Sequence, residues 1–415
     1  MRILWFSNCE LTTTTSKGSG SWLYAMSGLL ASDIELYNIT EADVPNIVFN
    51  ESNGIKEYIL PLFRLRNGVP SIANIKKICQ IVDEVSPDLI HIWGIEKYWA
   101  LLFARGYIKQ NPILEIQGLL SACCDVYWAG LTPWEIIKTI GLKEFLKPSS
   151  FLYFRKKKVE ARAKFENEAL SKLNVFSTQS QWTRNQIHFV NLNAQLYETK
   201  RPVRREFLAF DRWLKPSNNN LIVFTSLSYY EPFKGIHVLL KAIRELKKKY
   251  ADITLKIAGP DITKTSRIRT GGYEKQLLSF ISKYDLKENV VFLGRMNAEE
   301  LVEELKNSNL FVNPSFVESF SASTAEALCL GVPTVISYAG AMPEFTEELQ
   351  TALCYSPMDY KSCAAKIELL YTDCELSNRL SRNSIKLLRN KCSAEHVRNV
   401  QLRIYKDYLG HKSAE

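Results

Sequence analysis

The sequence has no run of about 18 residues that is both apolar and free of charge, which excludes a helix built to span a bilayer. Its start, MRILWFSNCELTTTTSKGSG, turns polar after Phe6, too early for the core of a secretion signal. The nine cysteines, Cys9 and Cys79 through Cys392, are odd in number and form no CxxC pair, and only five histidines accompany them. This excludes a disulfide framework and zinc sites of the usual spacing, and it predicts reduced, mostly buried thiols in a cytoplasmic protein. Glycine (18) and proline (15) are too sparse in 415 residues for a fibrous or low-complexity chain. No repeat of 20 to 50 residues is visible, which disfavours a solenoid.

What is present is globular: 46% hydrophobic and 23% charged residues, with a length that suits two or three domains. Lys and Arg number 53 against 44 Asp and Glu, and the net charge of +9 favours an anionic partner. Much of the excess lies in 138–162, KTIGLKEFLKPSSFLYFRKKKVEAR, with eight basic and two acidic residues among Ile, Leu, Phe and Tyr. Such a segment suits peripheral contact with an anionic membrane, at the inner face of the cell membrane. A solvated helix face with its apolar residues turned to the core accounts for the same pattern. No nucleic-acid motif accompanies the charge, so nucleic acid is not an expected partner.

Strand and helix patterns alternate along the chain. Met1 to Phe6 reads as a buried strand, WLYAMSGLLA and Ile75 to Val85 as helices, and DLIHI and Ile113 to Ile116 as strands. After the turn-rich PSNNN, a second series opens with the strand LIVFTSL. It continues with helix Ile236 to Tyr250, strand ITLKIAG, helix Gly272 to Tyr284 and strand VVFLG. Helix Ala298 to Asn307, strand LFVNP, helix Thr324 to Leu330 and strand PTVIS complete it, and 361–389 and 394–409 are helical. Alternation of this kind predicts α/β architecture with parallel sheets covered on both faces, and ligands at the carboxyl ends of the strands.

The densest chemistry lies in NPSFVESFSASTAEALCLGVP, 313–333, where seven residues separate Glu318 from Glu326. Ser321, Ala322 and Ser323, with Phe320 before them, fall at a helix start, where unpaired N–H groups and the dipole favour a phosphate. Carboxylates accept hydrogen bonds from vicinal hydroxyls, so the stretch suits a nucleotide sugar. Helix capping and surface glutamates account for the same residues individually.

These residues resemble the E-x7-E signature of the glycosyl transferase group 1, glycosyltransferase family four, of retaining glycosyltransferases. The resemblance extends through Lys234-Gly235, the strand ending Ala258-Gly259, VVFLG before Arg295, LFVNPS, EALCLGVP and AGAMPE. It is looser in MRILWFS, the Gly18-Ser19-Gly20 loop, PDLIHIWG and EIQG. It implies the GT-B fold, two facing Rossmann-like domains with an interdomain cleft. The expected divisions are an acceptor-binding domain over 1–215, a nucleotide-sugar-binding domain over 216–390 and a C-terminal helix over 391–415 that packs back on the first. The family pattern makes Lys234 a contact of the donor diphosphate, Glu318 a group near the donor sugar and Glu326 a ligand of ribose, with Gly259, Phe320, Ser321, Ala322 and Ser323 also on the donor.

Two departures stand out. Ser226 occupies the place of a family arginine, and Arg295 is the expected substitute, since guanidinium binds phosphate in bidentate fashion. Gln117 stands where many relatives have a histidine, so a general base is not expected there. Gly18, Ser19, Gly20, His91 and Gln117 are the acceptor-side candidates. With no DxD pair in the usual loop, no metal and no cofactor beyond the donor co-substrate are expected. The expected activity is transfer from a UDP- or GDP-sugar to a saccharide or lipid-linked saccharide acceptor, in bacterial surface polysaccharide biosynthesis. A sugar-nucleotide epimerase or hydrolase of the same fold, or a non-catalytic membrane-docked binding protein, remain alternatives at this point.

Overall fold

The computed structural model describes all residues except 14–20, 210–211, 218–219, 267–269 and 413–415. Gly18, Ser19 and Gly20 therefore lie outside the described residues. The chain forms two compact units, the first of Met1–Ser121, Ala161–Pro202 and Lys391–Glu415, the second of Ala122–Glu160 and Val203–Asn390. Thus 122–160 and 203–215, expected in the first domain, lie in the second. Specific long-range bonds put them there: Tyr127 donates its hydroxyl to Glu231 (3.0 Å), the His237 ring nitrogen meets the Ala129 carbonyl (2.9 Å), and Trp213 donates its indole N–H to the Ser308 carbonyl (2.9 Å).

The first unit carries an eight-stranded sheet. Its strands are β1 (Arg2–Phe6), β2 (Glu35–Ala42), β3 (Val48–Ser52), β4 (Ile55–Pro61), β5 (Leu89–Trp93), β6 (Ile113–Glu115), β7 (Val175–Thr178) and β8 (Gln195–Glu198). They lie in the order β3-β4-β2-β1-β5-β6-β7-β8, parallel except for the β3/β4 hairpin at one edge. RILWF and LIHIW are almost wholly apolar because parallel strands covered on both faces bury nearly every side chain. The helix Ala394–Lys412 packs on this sheet: Val397, Ile404 and Tyr405 share a core with Ile3 and Trp5, and Tyr405 accepts from the Trp5 indole (3.0 Å).

The second unit holds β9 (Ile222–Ser226), β10 (Thr254–Ala258), β11 (Val290–Gly294), β12 (Leu310–Asn313), β13 (Thr334–Ser337) and β14 (Leu353–Tyr355), all parallel, in the order β11-β10-β9-β12-β13-β14. Counted from its own first strand this is 3-2-1-4-5-6, the order of dinucleotide-binding folds. The direction of winding reverses between β9 and β12, and the carboxyl ends of strands at such a switch point are where ligands bind in sheets of this order. The helical region expected over 361–389 comprises two helices, Tyr360–Thr372 and Cys374–Lys391; Asp373 separates them and accepts from the Leu376 N–H (2.8 Å). The basic segment 138–162 is likewise broken. It runs from the end of the short helix Pro133–Ile137 through a second, Leu142–Leu146, into the long helix Leu152–Lys172.

Candidate functional site

At the β9/β12 switch point the two loops are laced together. The chain leaves β9 at Ser226 and makes one tight turn, Pro232–Lys234, before Gly235 opens the helix Ile236–Lys247. Gly235 has φ +72°, and a Cβ there would stand 1.9 Å from the Pro314 carbonyl oxygen in the loop after β12. The Phe316 N–H donates to the Phe233 carbonyl across the same gap (2.7 Å). That close approach sets Lys234 Nζ 2.7 Å from Glu318 Oε1, with both side chains largely covered. Burial opposes the ammonium charge, but the Glu318 carboxylate outweighs it and holds Lys234 above the usual lysine range.

Glu318 is fixed by its own backbone. The Ala341 N–H donates to the Glu318 carbonyl (2.8 Å), and Gly340, at φ +55°, lies so near that a Cβ would fall 2.4 Å from that oxygen. This is the structural role of the AGAMPE stretch. Phe320 packs edge-on against Phe345, centroids 4.9 Å apart.

The helix after β12 spans Ala322–Leu330, starting two residues before Thr324. Ser321 is its cap: the hydroxyl accepts from the Thr324 N–H (3.3 Å) and from Asn313 Nδ2 (2.8 Å) and is buried. Its side chain is thus committed to the helix, while exposed Ala322 and half-buried Ser323 present the first-turn N–H groups that such a helix leaves open. Glu326 stands one turn below Ala322 on the same face. It accepts from Arg204 Nε at 2.7 Å, and the Arg204 guanidinium lies over the Phe207 ring at 4.8 Å. Burial raises the Glu326 pKa, and Arg204 draws it back.

Arg204 is a residue that sequence reasoning missed. It precedes the second series of strands, and only the RPVRREF cluster hinted at it. Arg295, expected to supply the missing cation, does not join the Lys234–Glu318 pair. It follows β11, an edge strand two places from β9, and is exposed; at about 4.8 Å per strand that is roughly 10 Å to the side. Gly259 follows β10, the neighbour of β9, and its N–H donates to the Gly294 carbonyl (2.9 Å).

In the first unit His91 is a core residue, which corrects its acceptor-side assignment. It sits inside β5 with no exposed surface, its ring nitrogens 2.9 Å from the Tyr405 hydroxyl and 3.3 Å from the Ser177 hydroxyl. Burial lowers its pKa to about 3, so it is neutral. Gln117 is half-buried just beyond β6. Glu96, three residues after β5, accepts from Asn8 Nδ2 (3.3 Å) and lies beside Gly118, whose Cβ would meet it at 3.6 Å. Burial raises the Glu96 pKa. Its sequence signal was position alone, three residues after a strand.

His237 resembles His91 electrostatically: it is buried, and its pKa is lowered to about 4 by that burial. Below the ordinary 6.5, both histidines protonate in the unfolded chain but stay neutral when folded, so stability falls as pH drops through this window. From pH 7.5 to pH 5 the loss is about 1.5 pK units, or ~2 kcal/mol, for each. In His237→Gln, which keeps an N–H for Ala129, denaturant melts should show that pH-dependent loss reduced by about 2 kcal/mol. An unchanged loss would refute the assignment.

Among the described residues no three His, Cys, Asp or Glu side chains converge as a metal-ligand set. None of the nine cysteines is in a disulfide.

Comparison with known proteins gives a family match over part of the chain. The sequence model of the glycosyl transferases group 1 matches residues 209–387. Sucrose-phosphate synthase of Spinacia oleracea is 26% identical over 194 residues, which are 45% of this chain and 18% of that protein. An uncharacterized glycosyltransferase of Methanocaldococcus jannaschii is 24% identical over 189 residues, 46% of this chain and 45% of that one. The match thus spans under a fifth of the length of the plant relative. Among solved structures, sucrose-phosphate synthase from Thermosynechococcus elongatus superposes with a TM-score of 0.72 at 15% identity, over 99% of both chains. Anabaena HepE, solved in complex with UDP-glucose, gives 0.68 at 15% identity over 98% of this chain and all of the other. These likenesses establish the GT-B fold.

Proposed function

We propose that the chain is a retaining glycosyltransferase that moves a sugar from a UDP- or GDP-sugar to a saccharide or lipid-linked saccharide, a reading supported by the match of residues 209–387 to the sequence model of the glycosyl transferases group 1. The observation that carries this reading is the Lys234–Glu318 pair at the β9/β12 switch point, next to an open helix start and Glu326. The donor diphosphate lies on Lys234 and the N–H groups of Ala322 and Ser323, the ribose hydroxyls donate to Glu326, and Glu318 faces the sugar. Arg204 opposes the effect of burial on Glu326 and aims its carboxylate. The bond from the anomeric carbon to the phosphate oxygen breaks as the acceptor oxygen bonds on the same face, and the acceptor proton passes to the departing phosphate. Lys234 stabilises the charge that grows there. No metal takes part in this reading.

Glu96, with Gln117 beside it, is the acceptor-side polar group, and the acceptor belongs to bacterial surface polysaccharide assembly. The basic segment 138–162 supports a lipid-linked form of it at the inner face of the membrane. UDP-glucose in Anabaena HepE makes that donor the first to try. The test is incubation of the protein with UDP- and GDP-sugars, with and without a lipid-linked oligosaccharide extract. Transfer that needs acceptor and is lost in Glu326→Ala is expected. Donor consumption without acceptor at the same rate would instead identify a hydrolase or epimerase.

A further inference from the structure

The short helix Leu142–Leu146 is amphipathic in the wrong sense for a water-soluble surface. Its one buried side chain is Glu144, whose carboxylate accepts from the Gly141 N–H (2.9 Å) and faces Lys275 Nζ (3.5 Å). Its apolar residues Leu142, Phe145 and Leu146 point outward, Phe145 at 79% and Leu146 at 68% exposure. The preceding helix Pro133–Ile137 buries nothing and exposes Trp134 (64%) and Ile137, three residues apart on one face, and Ile140 continues the patch. A helix held to its own unit by a glutamate while six large apolar side chains meet solvent is arranged for a non-aqueous partner.

Cations outnumber anions on this face. Over 133–147 the cations are Lys138, Lys143 and Lys147, and the only anions are Glu135 and Glu144. Glu144 is buried, and Glu135 is committed to the Thr132 backbone and hydroxyl as a helix cap (2.8 and 2.9 Å). Lys138 lies over the Trp134 ring at 5.6 Å, so cation and aromatic share one spot. In the long helix, Arg155 pairs with Glu231, Lys156 and Lys157 pair with Glu160, and Arg162 donates to the Glu96 carbonyl.

We propose that the face of 134–147 is the surface by which this protein docks on an anionic lipid bilayer, with Trp134, Phe145 and Leu146 entering the headgroup boundary and Lys138 and Lys147 on the lipid phosphates. Amphipathic helices lie in such an interface to a depth of about 5–10 Å. No described helix is long and apolar enough to cross a membrane, which fits lying on one rather than spanning it. A second copy of the chain is the poorer occupant, since two such faces would oppose lysine to lysine. The inference moves the contact from the whole 138–162 segment to the face of 134–147. It rests on the reading of a lipid-linked acceptor for its purpose, whereas its test reads binding alone.

The test is co-sedimentation of the full chain with phosphatidylcholine vesicles with and without about one-third phosphatidylglycerol, beside a thermal-shift titration with UDP. Binding to the anionic vesicles is expected, at least tenfold weaker in Phe145→Glu/Leu146→Glu and several-fold weaker in Lys138→Glu/Lys147→Glu, with the UDP shift unchanged in both. High salt should weaken but not abolish it. No vesicle binding, or binding that both variants retain, would overturn the proposal. So would self-association, seen by light scattering, that the first variant removes. A lost UDP shift with vesicle binding intact sinks the transferase reading and leaves this one standing.

Discussion

Lys234→Ala is expected to lower kcat/KM for the sugar donor by about 10²–10³-fold, or ~3–4 kcal/mol, the usual effect of removing one preorganised group that meets charge in the transition state. The surroundings of Lys234 support this proposed role. The lysine is held charged by Glu318 at 2.7 Å, on a turn whose backbone is tied to the next loop by the Phe316–Phe233 hydrogen bond. The alanine variant also leaves the Glu318 carboxylate without its cation, so a lower Tm is expected beside the kinetic loss. Lys234→Arg restores a cation in a longer, planar form and should recover part of the rate. Steady-state kinetics with melting curves separate the two effects. Turnover within threefold of wild type in a folded Lys234→Ala protein would remove Lys234 from the catalytic machinery.

Gly235→Ala should be as damaging for a different reason. The added Cβ would stand 1.9 Å from the Pro314 carbonyl oxygen, a backbone atom, and the residue would have to hold φ +72°. The left-handed conformation alone costs roughly 1–2 kcal/mol in a residue with a Cβ. Because the obstacle is main chain, one loop must move away from the other, and we expect a total of about 3–5 kcal/mol, at the upper end of single substitutions. The Lys234–Glu318 distance opens with it, so UDP binding measured by calorimetry should fall below detection. A variant with wild-type Tm and affinity would show that the two loops need not touch.

Much of the second unit could be read from the chain because its signals are local. Apolar strands ending in glycine, helical periodicity over 236–250 and 272–284 and the stretch 313–333 all report the same register, and the structure keeps them within a few residues. The first unit was less readable. Strands such as ELYNITEA and VFNES carry charge and show no apolar run, so β2, β3 and β4 give little warning. His91 looked available because a histidine at a strand end is chemically versatile; its true state follows from Tyr405, 314 residues away. Arg295 looked useful because it ends a strand, but strand order, which the sequence does not state, puts that strand at the edge.

By itself the sequence determined the α/β alternation, the pairing of Lys234 with a glycine, and the spacing of Glu318 and Glu326, since each depends on neighbours within about a dozen residues. Tertiary structure alone decided which side chains meet. It brought Arg204 to Glu326, assigned 122–160 to the second unit, sealed His91 in the core and turned Phe145 and Leu146 outward. The physical reason is range: propensity and periodicity act along the chain, whereas burial and charge pairing are settled by residues far apart in it.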